Sequence, residues 1–133
     1  MRDNPSSGRG WFNLGWALHH SERFEDGIAA FQKAVSLGFR TGTSTYNIAC
    51  GNAMLNRTDA AMAALEAALE SGVLHHELLA HDNDLDNLRD DARFQALADK
   101  LEVDKEAKHA EKMEQKMRIK AEQKAKRDDR NYD

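Results

Sequence analysis

His19-His20, His75-His76, His81 and Cys50 are the residues whose side chains could ligate a metal or work as base and nucleophile. Adjacent histidines on a helix project about 100° apart. No pair here stands at the i, i+4 or Cys-x2-Cys spacing that a zinc site uses. A Cys50/histidine nucleophile would need an orienting third group and an oxyanion site, and the pattern marks neither. Asp82, Asp84, Asp86, Asp90 and Asp91 alternate as in a calcium loop, but the glycine of its sharp turn is missing. The twelfth residue counted from Asp82 is Arg93, where a bidentate glutamate belongs. These positions read as surface histidines, helix caps and a solvated acidic loop. No metal, no cofactor and no enzymatic activity is expected.

A second set of chemistry-bearing residues lies near the C-terminus. Lys108, Lys112, Lys116, Lys120 and Lys124 recur every four residues, a slowly winding basic stripe that could face nucleic acid, anionic lipid or an acidic protein surface. Glu106, Glu111, Glu114 and Glu122 interleave with it and cut its field, and no aromatic side chain is available for base stacking before Tyr132. A solvated helix is the expectation, with nucleic acid and membrane not expected as partners. Met113 and Met117 make too poor a heptad for a coiled coil. From Met1 to Glu102, 9 Lys/Arg oppose 15 Asp/Glu, a balance of −6, while Val103 to Asp133 holds 10 against 8, a balance of +2.

The elements that must carry these residues are helices. Alanine, leucine, glutamate and lysine abound, β-branched residues are sparse, and Pro5 is the single proline of 133 residues. One cysteine excludes an internal disulfide, no run is long and apolar enough to span a membrane, and the N-terminal MRDNPSSGRG lacks the apolar stretch of a signal peptide. A cytoplasmic location is the expectation.

Trp11–Gly38 aligns without a gap on Thr45–Gly72 at an offset of 34 residues. Asn13 meets Asn47, Arg23 meets Arg57, Ala29-Ala30 meets Ala63-Ala64, Ala34 meets Ala68, and Gly38 meets Gly72. In the first copy Trp11, Leu14, Gly15 and Leu18 form an i, i+3, i+4, i+7 stripe. A second helix from about Phe24 carries Gly27, Ile28, Phe31, Ala34 and Val35 and ends at Gly38. Gly27 sits inside that helix, so alanine there should stabilise by up to ~1 kcal/mol where space permits.

Trp11, Leu14, Gly15, Phe31 and Ala34 stand where the tetratricopeptide repeat has its W-x2-L-G … F-x2-A skeleton, and the 34-residue period is that family's own. The sequence resembles this family over roughly Gly8 to Val73, the second copy more loosely. The resemblance implies an all-α, short solenoid of antiparallel helix pairs. Its units fall at about 8–41 and 42–74, with an atypical closing unit at 75–102 anchored by Leu85, Leu88, Phe94, Leu97 and Leu101. Residues 1–7 are expected to be disordered and 103–133 to form a charged helical tail that frays at its end.

The resemblance also implies that the first helix of each pair lines a groove. Those positions are Arg9, Phe12, Trp16, His19 and His20 in the first unit, then Thr43, Tyr46, Asn47, Cys50, Ala53 and Met54 in the second. Aromatic and sulfur-bearing side chains there suit an apolar anchor from a partner peptide or helix. Asn47 alone matches the carboxylate clamp that grips chaperone C-termini. Phe12 and Trp16 replace its lysine and asparagine, and Glu77 and His81 stand where cations belong, so clamp-type binding is not expected. The function implied is a non-enzymatic protein-interaction module. The alternatives are a structural or weakly self-associating protein whose groove is covered by its own tail or another copy, and an adaptor that contacts polyanions through the tail.

Overall fold

The computed structural model describes residues 6–130; the expected N-terminal disorder and C-terminal fraying fall largely on residues 1–5 and 131–133, which lie outside it. Every regular element is helical among the described residues: α1 (Gly8–His20), α2 (Phe24–Ser36), α3 (Thr41–Met54), α4 (Thr58–Glu70), α5 (His76–His81), a 3-10 turn (Asn83–Leu88) and α6 (Ala92–Arg130). α1 packs on α2, α2 on α3 and α3 on α4, so two successive helix pairs stack in register with the 34-residue repeat. None of these helices is long and apolar enough to cross a membrane. The chain divides into a unit Met1–Asp99 and a unit Lys100–Asp133.

The turns repeat with the same period as the core. Gly38 and Gly72, 34 residues apart, both take a left-handed backbone with φ of +72° and +80°. After α2, Phe39 N–H donates to the Ala34 carbonyl (3.0 Å) and Gly38 N–H to that of Val35 (2.9 Å), the crossed pair of bonds that satisfies the last carbonyls of a helix. The turn inside each pair closes in the same way around Glu22 (φ 63°) and Asn56 (φ 58°), again 34 residues apart. Arg23 N–H reaches the Leu18 carbonyl (2.9 Å) and Arg57 N–H that of Asn52 (2.9 Å). At the other end of α1, the Ser7 hydroxyl caps the helix by accepting from Gly10 N–H (3.0 Å).

Small residues let the helices cross closely. A Cβ on Gly15 would lie 2.9 Å from the Phe31 ring, and one on Gly51 2.7 Å from Ile28, so these glycines are the sockets for side chains of α2. Phe31 fills the space between α1 and α2 with its ring edge-on to Phe12, centroids 5.5 Å apart. Phe39 adds a second edge-to-face contact to Phe12 at 5.8 Å. Phe12, expected on the groove face, is therefore buried core. Trp11 and Leu14, expected as core, are half-buried, with Trp11 packed on the margin of the cluster. The aromatic linker residue Phe39 causes the exchange, because it closes over the side of α1 that carries Phe12.

In the second pair alanines take the place of rings. Ala49, Ala53, Ala61, Met62, Leu65 and Ala68 are almost fully buried, and Ser44, also buried, donates its hydroxyl to the Phe39 carbonyl (3.2 Å). The closing segment adds Leu74, Leu79, Leu85, Leu88, Phe94 and Leu97 to the interior. Full burial of a leucine contributes roughly 1.5–3 kcal/mol. Arg89 ties this segment together: its guanidinium donates to the carbonyls of Leu79 (2.9 Å) and Asp82 (3.0 Å) and to Asp86 Oδ1 (2.8 Å), and stands over the Phe94 ring. Asp91 precedes the first residue of α6 and accepts from Arg93 N–H (2.8 Å). The Arg93 guanidinium holds its carboxyl well below the usual carboxylate range, at about 2.

Two substitutions test this account of the helix crossings and turns. A Cβ on Gly27 would stand 3.3 Å from both the Gly15 carbonyl oxygen and His19 N, backbone atoms that cannot swing aside. An alanine fits there only if α1 and α2 move apart by a few tenths of an ångström, so Gly27→Ala should destabilise by about 1 kcal/mol instead of stabilising. Glu22→Gly, which relieves a side chain from the left-handed region, should stabilise by about 0.5 kcal/mol. Urea denaturation followed by far-ultraviolet circular dichroism reads both signs.

Candidate functional site

The 34-residue repeat places Phe12 opposite Tyr46 in the alignment, Trp16 opposite Cys50, and His20 opposite Met54. The structure treats the two members of the second pair of positions in opposite ways. Cys50 is 3% exposed and Trp16 is 54% exposed. The difference lies in what faces each helix: the 3-10 turn Asn83–Leu88 packs on α3 and covers the second repeat.

Asp82, the residue before that turn, is the centre of the contact. The Tyr46 hydroxyl donates to Asp82 Oδ2 in a short hydrogen bond, and the Cys50 thiol donates to the same oxygen at 3.8 Å. Asp82 Oδ1 accepts from Asp84 N–H (3.0 Å), which starts the turn in the manner of a helix cap. One residue-pair further along, Asp84 Oδ2 lies 2.7 Å from His19 Nε2, linking the turn to α1. Asn87 Nδ2 donates to the Ala53 carbonyl (3.1 Å), so the turn is held at both ends against α3. The acidic loop expected to be solvated is thus a strap, and Tyr46 and Cys50 lie beneath it.

The electrostatics follow from burial. Desolvation, with the neighbouring thiol and Asp82 adding to it, pushes the Tyr46 phenol far above its ordinary value. Desolvation and the Asp82 carboxylate likewise push the Cys50 thiol up. Cys50 therefore stays protonated at neutral pH, which removes it as a nucleophile, since the thiolate is the reactive form. Cys50 Sγ and the carboxylates of Asp82 and Asp84 do lie within 4.8 Å of one another, a grouping that could hold a metal ion. The same atoms serve as hydrogen-bond partners: Asp82 accepts from the phenol, the thiol and a backbone N–H, and Asp84 pairs with His19.

The other groove positions named from the sequence are distributed as follows. Trp16 and His20 are exposed and stack on each other, ring centroids 3.9 Å apart and planes 27° from parallel. His20 Nδ1 is 2.8 Å from the Trp16 carbonyl oxygen. Arg9 is exposed, its guanidinium over the Phe39 ring, while Asn47 and Met54 are half-buried on α3. Arg9, Asn13, Trp16 and His20 follow i, i+4, i+7, i+11 and form one uncovered stripe of α1 without an acidic residue. His75, Glu77, Leu78, His81 and Asp82 line an open depression of about 480 Å³.

Sequence reasoning missed Asp82 as the partner of Tyr46 and Cys50. The available signal was the i, i+4 spacing of Tyr46 and Cys50, which puts a phenol and a thiol on one side of α3, both donors in need of an acceptor. Because both groups are neutral in the fold and their values are raised, the unfolded chain loses these protons first. Stability from this pair is complete below the ordinary values of 9.0 and 10.0 and is lost as pH rises above them. The melting temperature should therefore fall from about pH 9 upward, with Cys50→Ala and Tyr46→Phe each flattening the alkaline slope. Native Cys50 should react with iodoacetamide many-fold more slowly than in urea.

A family model described as tetratricopeptide repeat matches residues 8–37, which span α1 and α2. No curated protein and no solved structure matches the chain.

Proposed function

Because the chain is a tetratricopeptide-repeat-type protein, we propose that it is a non-enzymatic protein-interaction module whose docking surface is the uncovered stripe of α1. The observation that carries this reading is the exposure of Trp16, 54%, at the position whose repeat equivalent, Cys50, is buried under the strap. A large ring held outward by stacking on His20 is pre-ordered, and a partner that covers it gains apolar burial with little side-chain ordering. Arg9 and Asn13 on the same stripe supply donors around the apolar centre. A protein segment with an apolar or aromatic anchor fits this surface. Tyr46 and Cys50 do not belong to it, since the chain's own Asp82 occupies their polar groups.

Crosslinking in cell extract, followed by mass spectrometry, tests the assignment through paired variants. Trp16→Ala should lose the crosslinked partner at least tenfold while keeping the wild-type circular dichroism spectrum. Tyr46→Phe should keep the partner while losing about 1–2 kcal/mol of stability, the cost of leaving the half-buried Asp82 carboxylate short of a donor. Retention of every partner by Trp16→Ala would sink the α1 surface as the docking site.

A further inference from the structure

The long helix α6 carries a feature that the protein-docking stripe of α1 leaves unused. Every residue from Glu102 to Arg130 is exposed. At about 100° per residue, nine of the ten Lys/Arg between Lys105 and Arg130 fall within one arc of roughly 160°; Arg118 is the exception. Six of the seven acidic residues from Asp104 to Asp129 fall outside that arc, Glu106 standing at its edge. The acids that alternate with the lysines along the sequence are thus sorted by the helix onto the opposite half, and they do not dilute the cationic face. Lys108, Lys112, Lys116, Lys120 and Lys124 cross this arc from one edge to the other, about 40° per step, over about 24 Å. Consecutive lysines at i, i+4 repel one another in an isolated helix, so this arrangement costs helix stability unless an anionic surface lies against it.

We propose that α6 binds duplex DNA through its phosphate backbone, lying in the major groove with the lysine half against the walls. Charge complementarity selects a polyanion, and the width of the cationic arc selects its shape. A flat anionic membrane needs a broad apolar face to insert, whereas α6 exposes four large apolar residues over its length: Val103, Met113 and Met117 within about 80° of one another and Ile119 on a different side. A helix of about 10–12 Å diameter fits the major groove, about 12 Å wide, with its sides near both phosphate walls and its acidic back in solvent. The narrow major groove of A-form RNA does not admit it. Without aromatic residues for stacking or an arginine-rich reading face, binding is independent of sequence. The acidic charge of residues 1–102 is screened beyond about 8 Å at physiological salt.

Fluorescence anisotropy of the full chain with a labelled 30-base-pair DNA duplex tests the proposal. The log–log salt slope should be about −4.5, five lysines at about 0.9 each. Lys112→Gln, Lys116→Gln and Lys120→Gln together, which keep helix propensity, should reduce the slope by about 2.7 and weaken binding more than tenfold at 50 mM salt. Glu111→Gln, Glu114→Gln and Glu122→Gln together should bind at least as tightly as wild type. Absence of binding at 25 mM salt, an unchanged affinity of the lysine variant, or equal or tighter binding to an RNA duplex or to vesicles of three parts phosphatidylcholine to one part phosphatidylserine would overturn it.

Discussion

Asp82 is the acceptor on which the closing of the helical array depends. Two helix pairs in series leave the inner side of α3 with a buried phenol and a buried thiol, donors that lose water when the closing segment packs down. A carboxylate brought from 32 and 36 residues away accepts from both, and its other oxygen starts the 3-10 turn that carries Leu85 and Leu88 into the interior. Polar satisfaction and apolar burial are therefore coupled in one segment. Removing the acceptor would leave Tyr46 and Cys50 unpaired and release the anchor of the turn together.

The same strap divides the two repeats into different surfaces. A repeat chain presents equivalent positions to solvent at every period, and its ends need elements that break the pattern. Here the break falls on the second unit: Cys50 is covered while Trp16, its counterpart, is left outside and stacked on His20. Phe39 does the corresponding work on the outer end of α1, moving Phe12 from surface to core. What remains open on α1 is a narrow stripe, smaller and more polar than a groove running through both units.

In α6 the division is electrostatic. Its sequence has nearly balanced charge, but a helix converts position along the chain into angle, and residues of opposite sign that alternate in sequence end on opposite halves. A helix with one cationic half has a strong local field at its surface even when its net charge is small.

The amino-acid sequence by itself determined the all-helical class, the 34-residue repeat and the turns at Gly38 and Gly72, whereas the division expected at 102/103 falls inside the continuous helix α6 (Ala92–Arg130). Class, repeat and turns are set by local spacing and backbone conformation, which neighbouring residues express without reference to the rest of the chain. It also determined which residues share a helix face, Tyr46 with Cys50 and Arg9 with Trp16. Which of those faces meets another part of the chain was decided only by the tertiary structure. Phe12 is core because Phe39 closes over it, a Cβ on Gly27 would press to 3.3 Å on backbone atoms of α1, and Tyr46 is buried because Asp82 reaches it. Each of these outcomes rests on groups brought together by packing, and periodicity carries no information about what lies across a helix face.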